Sequence, residues 1–131
     1  MKRLITGAKR ALKEAKIDAN NIVLVRVPGS FEIPQACDWV IRSNQADAVI
    51  ALGAIQKGET NHDEIIAHAV AKALQDLMRD DHTPIGFGVV TFVTDEQGLA
   101  RSADNEENRG YQAAKAVLEM VKVRETIFDW R

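Results

Sequence analysis

The amino-acid sequence predicts an α/β domain in three layers, with helices on both faces of a mostly parallel sheet. Two observations carry that reading. Segments with apolar residues at helical spacing alternate with short apolar runs, in the order helix, strand, helix, strand, helix, strand, helix. The clearest of these runs is almost continuously apolar rather than apolar at every second position, as a strand covered on both faces must be. A chain of 131 residues suits one such domain, residues 1–131, with too little material for a second core.

Each element follows from its own pattern. Leu4, Ile5, Ala8, Ala11, Leu12 and Ala15 recur at helical intervals and predict an amphipathic helix over 2–16. The run IVLVRV (22–27) is β-branched and ends on Pro28-Gly29, so it reads as the first strand followed by a turn. Ile33, Ala36, Cys37, Val40 and Ile41 return to helical spacing. ADAVIALGA (46–54) is the continuously apolar run and predicts the second strand. Residues 63–79 carry the strongest helical stripe, including Ile66, Val70, Leu74 and Leu77. GFGVVTFV (86–93), just after Pro84, predicts the third strand, and Ala113, Ala114, Val117, Leu118 and Val121 a final helix. Three strands are few for a buried parallel sheet, so a further strand ahead of Met1 is expected.

Composition narrows the function classes. Seventeen Lys and Arg against 19 Asp and Glu leave a net charge of −2, which gives no general attraction to nucleic acid or to an anionic membrane. The single cysteine, Cys37, excludes a disulfide framework and a cysteine-rich metal site. No apolar run approaches the ~18 residues of a membrane span, and the first residues lack the apolar stretch of a secretory signal. A cytoplasmic protein is expected.

Ligands of open α/β sheets bind beyond the carboxyl ends of the strands. Those ends are PGSFE (28–32), GAIQKGETNH (53–62) and TFVTDE (91–96). Gly58-Glu59-Thr60 leads into a helix whose start could be closed by a capping box, Thr60 with Asp63 or Asn61 with Glu64. Such a start suits a phosphate, although on the loop alone a plain capped turn is the favoured account. His62 falls in the first turn, where the dipole disfavours a permanent imidazolium, and it reads as a candidate acid or base. His68 and His82 read as surface residues. His62 and His68 lie on different helix faces, so no metal site is expected. Arg101 and Arg109 are ordinary surface charges unless they converge on an anion, which their guanidinium forks would fit. Glu32 either accepts from a polyol or amine or starts its helix with a favourable charge. No GxGxxG or GxxxxGKS loop is present, which disfavours a dinucleotide or P-loop enzyme.

Taken together, VPGSFEIP (27–34), ALGAIQKGETNH (51–62), Glu96-Gln97 with Arg101, and NRG (108–110) resemble the 6,7-dimethyl-8-ribityllumazine synthase family in order and spacing, over Leu4 to about Met120. The resemblance implies a flavodoxin-like strand order from which the first, interior strand is missing. It implies condensation of 5-amino-6-ribitylaminouracil with 3,4-dihydroxy-2-butanone 4-phosphate, without a cofactor. In that reading Ser30, Phe31 and Glu32 hold the ribitylamino-pyrimidine, while Ala54, Ile55 and Gln56 lie along its ring. Glu59 and Thr60 bind the phosphate, and His62 transfers protons. Phe87, Arg101 and Arg109 reach the site from a neighbouring subunit of a homopentamer, which in some members builds a capsid. The chain departs from the usual pattern at Gln56 for an aliphatic residue, Asp63 for an aromatic, Glu64 for Asp and Arg109 for Lys. A catalytically weak assembly protein of the same family is the alternative reading. The intact GETNH loop disfavours an archaeal-type riboflavin synthase on the same fold.

Overall fold

In the computed structural model, which describes residues 1–130, helix α1 (Lys2–Glu14) turns Leu4, Gly7, Ala8 and Ala11 inward. A 3₁₀ turn at Ala19–Asn21, capped by the Asp18 side chain, and a second at Ser30–Glu32 precede α2 (Ile33–Arg42). Strand β1 (Val49–Gln56), helix α3 (His62–Asp81) and strand β2 (Ile85–Phe92) form a βαβ unit. Helices α4 (Asp95–Arg101) and α5 (Arg109–Phe128) complete the chain.

The two strands pair in parallel, Val49 opposite Ile85 through Gln56 opposite Phe92. Alternation of side chains along β1 builds a layer on each face. On one face Ala51 and Ile55 join Ile33, Cys37 and Ile41 of α2 and Val70 and Leu74 of α3. On the other, Ile50 and Leu52 meet Ala8 and Ala11 of α1 and Tyr111 and Ala114 of α5. The three-layer α/β/α architecture is therefore present.

The sheet differs from expectation in one respect. Residues 22–27 do not form a strand; the sheet has two strands. The segment leaves Ile22 in an extended conformation, yet residues 23–27 make no backbone–backbone hydrogen bond among the described residues. Val23, Leu24 and Val25 are exposed, Val23 to 83%. Of this segment only Val27 packs on the core. The reason is that β-propensity prepares a segment for pairing but supplies no partner. β1 is bonded to β2 on one edge, and among the described residues no strand pairs with its other edge. Other boundaries shift modestly. The last helix runs to Phe128 rather than ending near Val121, and α4, which the spacing did not predict, follows β2.

Layer α1–α5 is fastened by one polar residue. Asn108 is 1% exposed. Its Oδ1 accepts from the Tyr111 N–H at 3.0 Å, capping α5, and its Nδ2 donates to the carbonyls of Arg3 (3.2 Å) and Ala103 (3.0 Å). Gly7 and Gly110 make the close approach possible: a Cβ on Gly7 would strike the Asn108 side chain, and one on Gly110 the Leu4 carbonyl. At the far end of the same contact the Tyr111 hydroxyl donates to Glu14 at 2.7 Å, and Arg10 lies over the Tyr111 ring.

Asn108→Ala removes a cap and leaves two carbonyls without a donor, so equilibrium unfolding in urea should show a loss of about 2–4 kcal/mol. Burial of Cys37 among the α2 and α3 side chains raises its thiol from an ordinary 9.0 to about 11. The native thiol should resist alkylation at pH 8 and react fully once the chain is unfolded in urea. The folded state holds that proton more tightly, so this contribution to stability is complete below pH 9.0 and is lost as pH rises towards about 11.

Candidate active site

The carboxyl end of β1 opens into a cleft of about 480 Å³. One wall is the turn Gly29–Glu32, a second the strand end Ala54, Ile55 and Gln56, and a third the start of α3 with Gly58, Thr60, His62, Asp63 and Ile66. The local sequence explains each wall. Pro28-Gly29 stops the extended segment, and Gly29 takes up extended backbone before the Ser30–Glu32 turn. Pro34 occupies the first turn of α2, where its missing N–H costs nothing. The ladder continues one residue past β1 through the Lys57 N–H to the Phe92 carbonyl at 2.9 Å, and the chain then leaves the sheet at Gly58.

No capping box closes α3. Instead the Thr60 hydroxyl accepts from the His62 N–H at 3.3 Å, a local turn, while Asn61 takes the N-cap position without a side-chain bond. Thr60 fails as a cap because it lies one residue too early, and Asn61, although at the cap position, makes no side-chain bond to the helix start. Asp63 and Glu64 place negative charge in the first turn of the helix.

A hydrogen bond of 3.3 Å from Gln56 Nε2 to Asp95 ties the end of β1 to the start of α4. Helix α4 is itself built by Thr94, whose hydroxyl accepts from the Gln97 N–H at 3.2 Å, and by Gln97, whose side-chain oxygen accepts from Val93 N–H at 2.8 Å. The Thr-x-x-Gln signature at 94–97 is the signal that could have revealed this helix.

Within one chain the cleft gathers Ser30, Phe31, Glu32, Ala54, Ile55, Gln56, Thr60 and His62. Glu59 is exposed beside it and does not line it. Arg101 also stays outside, on α4, where its guanidinium donates to the Thr91 carbonyl at 2.9 Å. Phe87 and Arg109 lie in a different cleft of about 620 Å³, among β2, the end of α3 and the exposed side of α5. There Arg109 bonds Gln112 at 3.0 Å, and Phe87 is 49% exposed beside Met120, Val123, Ile127 and Phe128. Asp63 is the polar wall residue to which no binding role was assigned from the sequence. Among the described residues no group of three or more His, Cys, Asp or Glu side chains is placed to hold a metal ion, and no helix is long and apolar enough to cross a membrane.

The arrangement puts the His62 imidazole in the same cleft as the carboxylates of Glu32 and Asp63, with the start of α3 in its wall.

A sequence profile described as 6,7-dimethyl-8-ribityllumazine synthase matches residues 1–125. The 6,7-dimethyl-8-ribityllumazine synthase of Halorhodospira halophila is 40% identical over 119 residues, 91% of this chain and 76% of that protein. The protein of the same name from Kocuria rhizophila is 42% identical over 120 residues, 90% and 74% of the two chains. That of Kosmotoga olearia is 36% identical over 126 residues, 96% and 81%.

Proposed function

The chain belongs to the 6,7-dimethyl-8-ribityllumazine synthase family, transferases of riboflavin biosynthesis, and from that premise we propose that it condenses 5-amino-6-ribitylaminouracil with 3,4-dihydroxy-2-butanone 4-phosphate. The observation that carries this reading is the convergence of His62 and Thr60 with Ser30, Phe31, Glu32 and the β1 end in one cleft.

The pyrimidine's amine attacks the ketone and water leaves to form an imine. Elimination then expels inorganic phosphate and leaves an enol, whose tautomerisation turns the former hydroxyl carbon into a carbonyl; attack by the ribitylamino nitrogen on that carbonyl closes the ring with loss of a second water. No electron acceptor or cofactor enters this balance. Glu32 accepts from ribityl hydroxyls, and the Ala54–Gln56 strand end lies along the ring. Backbone N–H groups at Glu59 and Thr60 receive the phosphate together with an Arg101 guanidinium. His62 moves the protons that imine formation and elimination require. Holding amine and ketone side by side supplies much of the rate, leaving His62 a share of roughly 10²–10⁴-fold.

The residues outside the cleft support a shared site. Phe87 and Arg109 open on another side of the molecule, next to the exposed apolar residues of α5, and cannot line their own chain's cleft. We assign them to a neighbouring copy's cleft in a homopentamer. The same apolar face would serve an inactive assembly protein, so turnover separates the two readings.

Arg101→Ala should raise the KM for the butanone phosphate by about tenfold to a hundredfold, the loss of a charge-assisted bond worth ~1.5–3 kcal/mol. An unchanged KM at full activity removes Arg101 from the phosphate site. His62→Ala should lower kcat by about 10²-fold or more with the oligomer intact by light scattering, since an exposed first-turn residue carries little packing. A wild-type kcat in that variant excludes His62 from proton transfer, and a monomeric wild type excludes the shared site.

A further inference from the structure

The charge of the chain is segregated. Residues 1–16 hold six Lys and Arg and one acid, a local charge of +5, which leaves −7 on the rest of a chain whose net charge is −2. An asymmetry of that size marks a surface for an anionic partner, even where the whole molecule offers no general attraction.

Helix α1 sorts those charges further. Leu4, Gly7, Ala8 and Ala11 are buried on its inner face. Lys2, Lys9 and Lys13, at spacings of seven and four, fall on the opposite face, and Lys16 continues the line just past the helix end. All four are exposed, and the three within the helix span about 17 Å along its axis. Asp104 pairs with Arg10 at 3.4 Å, and Glu14 accepts from the Tyr111 hydroxyl. Among the described residues no carboxylate pairs with any of the four lysines. Helix stability does not account for the array. Acids favour the first turn of a helix and cations the last. Lys13 fits that rule, but the first turn of α1 has no acid and carries Lys2 and Arg3 against the dipole.

We infer that this line of lysines is a docking surface for the phosphate backbone of a double-stranded nucleic acid, held without sequence preference. The apolar face of α1 is spent on the core, so the helix cannot lay it into a lipid surface. The residue between Lys2 and Lys9 on this face is Thr6, whose hydroxyl donates to the Lys2 carbonyl. No aromatic ring stands there for unpaired bases to stack on, which disfavours a single strand. A row of ammonium point charges suits a duplex, which carries one charge per about 1.7 Å of its axis. The inference rests on α1 alone and is independent of the reaction proposed above.

The test is fluorescence anisotropy of a labelled duplex of about 20 base pairs, titrated with the full chain from about 50 mM salt upwards. Log affinity should fall against log salt with a slope of about −3, near −0.9 for each of three to four phosphates. Lys9→Gln with Lys13→Gln, which keeps helix propensity, should weaken binding about tenfold and reduce the slope by about 2. Lys9→Arg with Lys13→Arg should keep the affinity within about threefold, since phosphate contact needs only the charge. Arg42→Gln with Lys72→Gln removes the same charge from the opposite layer, where both cations are already paired, and should change binding less than about twofold. A wild type that does not bind the duplex overturns the inference, as does an equal loss in the α1 and the Arg42–Lys72 glutamine variants. Loss of binding in the arginine variant overturns it too. Tighter binding to the single strand, or to phosphatidylserine vesicles in place of the duplex, overturns the choice of partner.

Discussion

The parallel ladder between β1 and β2 is the constraint on which the other features depend. Eight residues of each strand run in register with helices packed on both faces, so the backbone groups between the two strands pair with each other. Because the strands are parallel, their carboxyl ends emerge together. That places the Gly58–His62 loop and the Val93–Asp95 connection at the same end of the sheet, and the Gln56–Asp95 hydrogen bond joins them. A helix must cross over between parallel strands, and α3 is that helix. Its first turn therefore stands at the mouth of the cleft, and His62 is positioned by topology rather than by any side-chain contact of its own.

Covering the second face required a different device. Helices α1 and α5 come from opposite ends of the sequence and meet across Leu4, Ala8, Ala11, Tyr111 and Ala114, where one polar residue fixes how they sit. Asn108 does so by satisfying a helix start and two carbonyls from one buried side chain, with Gly7 and Gly110 giving it room. The cleft then lies away from this clasp, on the α2–α3 side, with its walls supplied by a turn, a strand end and a helix start. No Lys or Arg lines it, and Arg101 and Arg109 both lie outside it.

Much of this was legible in residues alone. The stripe through Val70 and Leu74 predicts α3, and the unbroken run ADAVIALGA predicts a strand covered twice, both of which the fold bears out within a few residues. Membership of the family followed from four motifs in order, and the profile match over residues 1–125 agrees. Helix α4 was also encoded, in Thr94 and Gln97, but its seven residues carry too little periodicity to stand out. The placement of Arg101 and Arg109 was not legible, because spacing along a chain says nothing about which cleft a long side chain enters.

Sequence by itself determined the fold class, the βαβ crossover, the family and the loop that carries His62, since these rest on local periodicity and on motifs whose residues are near neighbours. Tertiary structure decided what depends on a partner at a distance. Residues 22–27 have the composition of a strand, yet 23–27 make no backbone–backbone hydrogen bond among the described residues, because a ladder needs a second backbone about 4.7–4.9 Å away and composition cannot provide one. Thr60 looked like a cap and became a turn, since the helix begins one residue later than a cap at that position requires. Burial and pairing are properties of the folded chain, which is why they were the last to be read.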